Sequence, residues 1–110
     1  MAGKPGVSQK ELCVITLINR FEVTGSVEEF ERVFDSTSEF FAAQPGFVRH
    51  RLLRHVDEPG RYVNVADWED EPSFRRALQQ PEFGAHRTAL RALSNSEPNL
   101  YTPFPERVPS

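Results

Sequence analysis

The chain has 110 residues, with 13 lysines and arginines against 16 acidic residues and a formal net charge of −3 at pH 7. This length predicts one domain with a thin core, so self-association would add burial that a monomer lacks. No apolar run approaches the roughly 18 residues of a membrane span, which argues against a transmembrane protein. The acidic balance argues against a nucleic-acid partner, because such binding depends on neutralising phosphates.

The N-terminal segment and the single cysteine indicate the compartment. Residues 1–10 are polar and lack the apolar stretch of a signal peptide. Cys13 is the only cysteine, so neither an intramolecular disulfide nor a multi-cysteine zinc site can form. We expect a cytoplasmic protein with a flexible tail over 1–10, a folded domain over 11–104 and a second tail over 105–110.

The first predicted element is a central strand over residues 11–23, which are β-branched and apolar through their middle. A period of two places Cys13, Ile15, Leu17, Asn19 and Phe21 on one face and Val14, Thr16, Ile18 and Arg20 on the other. Both faces are expected to be largely buried.

A helix is predicted over residues 27–43. Ser26 followed three residues later by Glu29 forms a capping box at its start. The apolar stripe has spacings of three and four and comprises Phe30, Val33, Phe34, Thr37, Phe40 and Phe41. Pro45 and Gly46 end the segment.

Two strands, over residues 47–56 and 61–69, are predicted to form a hairpin around the turn 57–60, which contains Pro59 and Gly60. In the second strand, Tyr62, Asn64, Ala66 and Trp68 share one face, and Val63, Val65 and Asp67 share the other.

The last third of the chain predicts a bent or broken helical segment over residues 72–93. Asp70 is a suitable N-cap, Pro72 fits the first turn, and Pro81 interrupts the pattern. A short strand over residues 99–104 follows, whose prolines confine its end to a sheet edge or a tail.

The element order β, α, β, β, α, β predicts an α+β, ferredoxin-like fold with a four-stranded antiparallel sheet and its helices on one face. The other face, with Val14, Thr16 and Ile18, has no helix to cover it. We expect a homodimer in which two such faces meet, because an apolar sheet face left in water is unfavourable.

Motifs for nucleotide binding and serine hydrolysis are absent from the sequence. The histidines His50, His55 and His86 have no zinc-motif spacing, and the first two are expected to point to opposite faces of a strand. We therefore expect no metal site. Cys13, within the buried strand, is expected to be an unreactive core residue.

Polar residues within apolar strands indicate a candidate site, because a buried amide must meet a partner or a ligand. Asn19 and Asn64 are such residues. Asn64 and Trp68 share a face about 13 to 14 Å apart, where they could bind two ends of a flat, oxygenated molecule. The alternative is structural: Trp68 anchors the core with its N–H on a carbonyl, and Asn64 satisfies a neighbouring strand. Likewise, the nine phenylalanines fit either an aromatic core or a pocket for a flat ligand.

A run of residues carries a family resemblance. Residues 62–69, Tyr-Val-Asn-Val-Ala-Asp-Trp-Glu, followed by Phe74, Pro81-Glu82-Phe83 and His86-Arg87, resemble the antibiotic biosynthesis monooxygenase family of the dimeric α+β barrel superfamily. Residues 19–21 and 44–47 also fit, and the resemblance spans roughly residues 12–104. Within that family the chain is most similar to the cofactor-free anthrone oxygenases of aromatic polyketide pathways.

The resemblance implies a set of site residues. Asn64, Trp68, Arg87 and His86 are the expected catalytic residues, and Asn19, Phe21, Tyr62, Phe74 and Phe34 are the expected substrate-binding residues. His86 is a candidate base, although a surface or helix-stripe histidine is an equal alternative. Phe74 departs from the pattern, because a pocket tyrosine of those oxygenases falls on it.

The implied reaction is a cofactor-independent oxidation, by O2, of a polycyclic phenol or anthrone-type polyketide intermediate to a quinone. Hydrogen-bond donors would stabilise the carbanion as an oxyanion in a dry cavity, and the electron-rich substrate would itself reduce oxygen. Two alternatives use the same scaffold. One is a polyketide cyclase or isomerase, which consumes no oxygen. The other is a haem-binding or haem-degrading protein, for which Asn19 and His86 match but the expected tryptophan falls near Ala77.

Overall fold

A computed structural model of the protein describes residues 14–109. The elements are β1 (Ile15–Val23), α1 (Val27–Ala42), β2 (Phe47–Arg54), β3 (Arg61–Trp68), α2 (Glu71–Leu78), α3 (Phe83–Leu93) and β4 (Ser94–Tyr101). This order confirms the α+β, ferredoxin-like fold, with the last helical segment broken into α2 and α3. Cys13 and the predicted start of the first strand lie outside the described residues.

The sheet has four antiparallel strands in the order β2-β3-β1-β4. In the central β1–β3 pair, Phe21 lies opposite Tyr62, Asn19 opposite Asn64, Leu17 opposite Ala66 and Ile15 opposite Trp68. Because side chains alternate between faces along a strand, these four pairs all project from one face. The period of two predicted for both strands is therefore confirmed.

The prediction of the last strand was wrong in its position. β4 runs over Ser94–Tyr101 rather than over residues 99–104, and it follows α3 without a loop. Its sequence is polar and contains Pro98, so no apolar alternation marks it. Among the described strands β4 lies at the sheet edge and pairs with β1 alone, and an edge strand tolerates a proline that has no N–H to donate.

Side-chain capping interactions begin α1 and α2 where the sequence predicts them. The Ser26 hydroxyl accepts a hydrogen bond of 3.1 Å from the Glu29 N–H at the start of α1. The Asp70 carboxylate accepts one of 2.9 Å from the Ser73 N–H at the start of α2. Each bond satisfies an N–H that has no partner within its helix.

Gly46 fixes the turn between α1 and β2. It has a φ of +89°, and a Cβ added there would lie 2.4 Å from the Cβ of Ser73 on α2. Glycine adopts this conformation without strain and leaves room for the close approach. The turn thereby brings α2 against the start of the β2–β3 hairpin.

The core lies between the helices and one face of the sheet, and it consists of two clusters. The Phe30 cluster comprises Phe21, Phe30, Phe34 and Tyr62. The Trp68 cluster comprises Ala66, Trp68, Phe74 and Ala77. Residues of α1 and α3 pack on the first, and residues of α1 and α2 pack on the second. We call this the covered face.

The opposite, uncovered face carries Thr16, Ile18, Val63 and Val65, all half-buried. A polar group interrupts it, in which the carboxylate of Asp67 accepts a 2.7 Å hydrogen bond from Thr16 and pairs with Arg49 at 3.0 Å. In the described part of the chain the helices contribute only to the two clusters on the other face. The expectation of an uncovered, partly apolar face is therefore confirmed for residues 14–109.

Candidate functional site

A cavity of about 500 Å³ lies on the covered face, and every helix and strand contributes to its lining. Its walls are mainly apolar and aromatic, including Phe34, Phe41, Phe47, Trp68, Phe74 and Phe83. Its polar lining includes Asn19, Thr37, Ser38, His50, Asn64, Arg75, Arg87 and Arg91. A mostly apolar concavity of this size with a few convergent polar groups is typical of a site for a small organic molecule.

Most of the residues that the sequence singled out meet in this cavity. The lining contains Asn19, Phe21, Phe34, Asn64, Trp68, Phe74 and Arg87. Tyr62 and His86 are not part of that lining. The seven lining residues come from five different elements, β1, α1, β3, α2 and α3. Tyr62 shares the covered face but packs in the Phe30 cluster.

Asn19 and Asn64 form a polar pair across the two central strands. Asn64 is 9% exposed, and its Oδ1 lies 3.1 Å from Nδ1 of His50 on β2. The Oδ1 of Asn19 is buried and has no hydrogen-bond partner among residues 14–109. A buried amide oxygen without a partner is costly, so it marks a place where a donor from a bound molecule would be favourable.

Trp68 lines the cavity and is 1% exposed. Its ring meets Phe41, Phe47 and Phe74 edge to face, with centroid separations of 5.8, 5.3 and 5.7 Å. Such pairs hold the indole in one orientation. Trp68 therefore is a core anchor, as the structural alternative expects, and it also forms part of the cavity wall.

His50 belongs to the cavity although sequence reasoning weighed it only as a metal ligand. It lies opposite Ala66, between the rings of Phe34 and Phe47 at centroid separations of 5.9 and 6.1 Å. The signal in the sequence was the pairing of the two hairpin strands, which sets His50 opposite Ala66 and so on the same face of the sheet. An irregularity between Phe47 and Arg49 breaks the simple alternation of β2 and hides that signal.

Three arginines give the cavity a positive lining. Arg87 lies over the ring of Phe83, with 4.6 Å from its guanidinium carbon to the ring centroid, and Arg75 pairs with Glu71 at 2.8 Å. No aspartate or glutamate lines this cavity within the described residues. Of these arginines only Arg87 was predicted, although Arg91 lies four residues further along α3 and so on the same helix face.

His86 lies on α3 behind the cavity wall. Its Nδ1 is 3.3 Å from the hydroxyl of Thr37, which itself donates to the carbonyl of Val33 at 2.9 Å. Its ring packs at 5.4 Å from that of Phe40. These contacts match the alternative of a helix-stripe histidine that joins α3 to α1.

Tyr62 and Glu31 lie in an outer groove of about 460 Å³ beside the cavity. The Tyr62 hydroxyl donates to the Glu31 carboxylate, which also accepts from Arg54 at 3.2 Å. The bond from Tyr62 lowers the pKa of Glu31, while burial, followed by that same bond, raises the pKa of Tyr62. His50, Phe34 and Ser38 line both the groove and the cavity, so they form the boundary between the two.

Within residues 14–109, no three histidine, cysteine or acidic side chains gather closely enough to hold a metal ion. None of the helices in that range is both long and apolar enough to cross a membrane.

The fold and cavity together define a ferredoxin-like α+β protein with an aromatic, positively lined cavity of a size typical for small-molecule sites. The sequence pattern of the antibiotic biosynthesis monooxygenase family matches residues 14–89. The chain belongs to this family, which confirms the resemblance seen in its sequence and the prediction of a monooxygenase.

The chain is similar to named oxygenases of two kinds. It is 59% identical over 88 residues to deoxynogalonate monooxygenase of Streptomyces nogalater, covering 80% of this chain and 75% of that protein. The crystal structure of SnoaB, a cofactor-independent oxygenase from Streptomyces nogalater, superimposes with a TM-score of 0.83 at 55% identity, over 88% of this chain and 98% of that one. A mycobilin-producing heme oxygenase of Mycobacterium tuberculosis is 33% identical over 73 residues, or 66% of this chain and 70% of that protein.

Proposed function

We propose that this protein is a cofactor-independent monooxygenase that oxidises a polycyclic phenol or anthrone-type polyketide intermediate to a quinone with O2. The observation that carries the proposal is the amide pair of Asn19 and Asn64 inside an aromatic cavity. The similarity to a cofactor-independent oxygenase and to deoxynogalonate monooxygenase supports it.

The cavity suits a flat, aromatic ligand. Phe41, Trp68, Phe74 and Phe83 present ring faces or edges to it, and rings of a polycyclic substrate would pack on them in offset or edge-to-face geometry. Phe74 supplies no hydroxyl, so the polar recognition of the substrate falls to the amides, the indole N–H and the arginines.

The positive lining indicates that the substrate carries negative charge. Arg87 and Arg91 line the cavity on one face of α3, and planar guanidinium groups bind carboxylates with two parallel hydrogen bonds. Deoxynogalonate monooxygenase is named for a carboxylate substrate. We extend that substrate class to this chain, as a polycyclic acid.

The reaction needs no external electron source. Removing a C–H proton from an anthrone leaves a carbanion whose charge is shared with the ring carbonyl oxygen. Donors on Asn64, Trp68 and Arg87 would stabilise that oxyanion and so favour electron transfer to O2. Recombination gives a peroxide, and loss of water gives the quinone: one oxygen atom enters the product and the other leaves as water.

The assembly and compartment are part of the same proposal. Two uncovered faces would meet in a homodimer, which would remove Ile18, Val63 and Val65 from water. A cytoplasmic location fits the single cysteine.

A haem-degrading function is the second candidate, because of the similarity to a heme oxygenase. Asn19 lies in the cavity as that function would require. His86 instead packs against Thr37 and Phe40 behind the wall, and the small, buried Ala77 stands where the expected tryptophan falls. These placements favour the oxygenation of a polyketide intermediate. The remaining alternative, a cyclase or isomerase, would use the same donors and consume no oxygen.

Oxygen uptake by the metal-stripped protein with an anthrone tests the proposal, after subtraction of the uncatalysed rate. Asn64→Ala should lower the rate about 100-fold, the loss typical of removing one oxyanion donor. Asn95→Ala, an exposed asparagine of β4 outside the cavity, is the matched control and should keep the rate. The proposal also requires that the amount of oxygen consumed equals the amount of quinone formed.

Two results would contradict the proposal. The absence of any acceleration across several anthrones, with turnover to a cyclised product and no oxygen consumed, would identify a cyclase. If Asn64→Ala lost thermal stability but kept its specific activity in the folded fraction, the amide would be structural.

A further inference from the structure

The hydrogen bond between His50 and Asn64 determines which nitrogen of the imidazole holds a proton. Asn64 presents its Oδ1 to Nδ1 of His50 at 3.1 Å, and an amide oxygen only accepts. Nδ1 therefore carries the hydrogen, and in the neutral ring the lone pair lies on Nε2. The bond keeps the ring in the tautomer that can accept a proton at Nε2.

His50 is also the one titratable side chain suited to that role in the described lining. The other ionisable groups that line the cavity within residues 14–109 are Arg75, Arg87 and Arg91, and a guanidinium group donates hydrogen bonds but has no acceptor. His86 lies outside the lining. A reaction that begins with removal of a proton needs an acceptor within reach of the substrate.

We propose that His50 is the general base of this enzyme and that its imidazole is used twice in each turnover. The inference rests on the proposed function and adds to it the residue that moves protons. Asn64 then has two tasks, since its Oδ1 orients His50 while its amide N–H group remains available to the substrate oxygen.

The proton balance of the reaction explains why one base is enough. His50 takes a C–H proton, and the electron pair passes to the substrate carbonyl. After O2 accepts one electron and the two radicals combine, the imidazolium returns the proton to the peroxide anion. His50 then takes the second C–H proton as the C=O bond forms and the O–O bond breaks, and it gives that proton to the departing hydroxide. The net products are quinone and water.

The surroundings of His50 allow it to exchange protons with solvent between turnovers. It lines the outer groove as well as the cavity, and the ionisable groups of that groove are Glu31 and Asp35 on α1, Arg54 on β2 and Tyr62 on β3. The rings of Phe34 and Phe47 flank it. Deuterium from D2O can therefore reach the imidazole, which makes the proton transfer measurable.

Hydrogen exchange without oxygen isolates this step. The protein and an anthrone are mixed in D2O under anaerobic conditions, and replacement of the reactive C–H by C–D is followed by NMR. The wild type should accelerate exchange over the uncatalysed rate. His50→Asn should lose about 100-fold or more of that acceleration, as removal of a general base does. Its amide nitrogen can replace Nδ1 as the donor to Asn64, so the variant removes mainly the base.

His55→Asn is the matched control, because His55 follows the same strand but lines neither the cavity nor the groove. It should exchange like the wild type. Binding is measured separately through the fluorescence of Trp68, the single tryptophan, which lines the cavity. If His50→Asn removes the base without disturbing how the anthrone is bound, its affinity for the anthrone should stay within a few-fold of the wild type.

The outcomes distinguish a failure of the proposed role of His50 from a failure of the proposed function. If the wild type consumes oxygen while folded His50→Asn or His50→Gln exchanges at the wild-type rate, His50 is not the base and the oxygenase stands. If the wild type accelerates neither exchange nor oxygen uptake, the proposed function fails, and this inference with it. If His50→Asn does not fold, His50→Gln provides the same test of the base.

Discussion

The two faces of the sheet are built from the same strands and differ in what they hold. The covered face carries both aromatic clusters and the cavity, whereas the uncovered face carries half-buried aliphatic residues around Thr16, Asp67 and Arg49. Alternation along β1 and β3 assigns successive residues to opposite faces. One short segment thus supplies part of the cavity lining on one side and a partly apolar, uncovered surface on the other.

The covered face itself is divided by its polar pair. The Phe21–Tyr62 pair belongs to the Phe30 cluster and the Ile15–Trp68 pair lies at the Trp68 cluster, while Asn19 and Asn64 lie between them. Both amides line the cavity, together with members of each apolar cluster. The contrast predicts that changes to the clusters act on stability and changes to the polar pair act on turnover.

The largest effect on stability is expected from Phe30→Ala. Phe30 is fully buried and packs on Phe21 and Tyr62 at centroid separations of 5.3 and 5.0 Å. Removing a buried phenylalanine ring costs about 3–5 kcal/mol, a large part of the stability of a small domain. Urea unfolding followed by Trp68 fluorescence measures the loss. Val56→Ala, at a position that is 95% exposed, should leave the midpoint unchanged, and equal midpoints for the two variants would contradict the assignment of the core.

Much of this fold follows from local signals in the sequence. The alternation of β1, the N-cap at Ser26 and the Pro-Gly turn of the hairpin each depend on neighbouring residues, and each is found where it is expected. β4 was misplaced because its strand is held by pairing to β1, and pairing between distant segments leaves no trace in a polar edge sequence.

The site residues that lie on β1 and β3 could be predicted from the alternation of side chains between the two faces of the sheet. Asn19, Asn64 and Trp68 stand out as members of an apolar strand face, and the cavity contains all three. His50 was missed because an irregularity in β2 changes its face, and the position of His86 behind Phe40 depends on how α3 packs on α1. Helical spacing shows which residues share a stripe but not which of them reaches the cavity.

A change to the uncovered face should act on assembly rather than on the cavity. The proposed homodimer predicts a mass of about 25 kDa by light scattering, twice the 12.6 kDa of the chain. Val65→Arg places a charge in the centre of that face and should give the monomer mass, because an unpaired charge cannot be buried in an interface. A monomeric wild type would contradict the proposal. Arg51→Lys, which keeps an exposed charge on the neighbouring strand, should remain a dimer.

A smaller change, in the opposite direction, is expected from Asn19→Leu. The Oδ1 of Asn19 is buried without a partner among residues 14–109, and replacing such a group by an apolar one of similar size relieves a cost of about 1 kcal/mol. The variant should unfold at higher urea concentration and lose at least about tenfold in oxygen uptake. A variant that is both less stable and fully active would show that Asn19 is a structural residue.

The smallest expected effect concerns the acid side of the stability profile. Hydrogen bonds from the side chain and then the backbone N–H of Ser73 hold the pKa of Asp70 below its ordinary value of 3.8. A lowered pKa in the folded state means that this stabilisation is complete above the unfolded pKa and is lost as the pH falls through the folded one. Asp70→Asn keeps a cap acceptor for α2 but does not titrate. Its urea midpoint should therefore fall less between about pH 6 and about pH 3 than that of the wild type. Glu82→Gln, at the start of α3 where no side-chain cap bond forms, is the matched control and should follow the wild type. If the urea midpoint of Asp70→Asn fell with pH as much as that of the wild type, the Asp70 cap would contribute nothing to the loss of stability in acid.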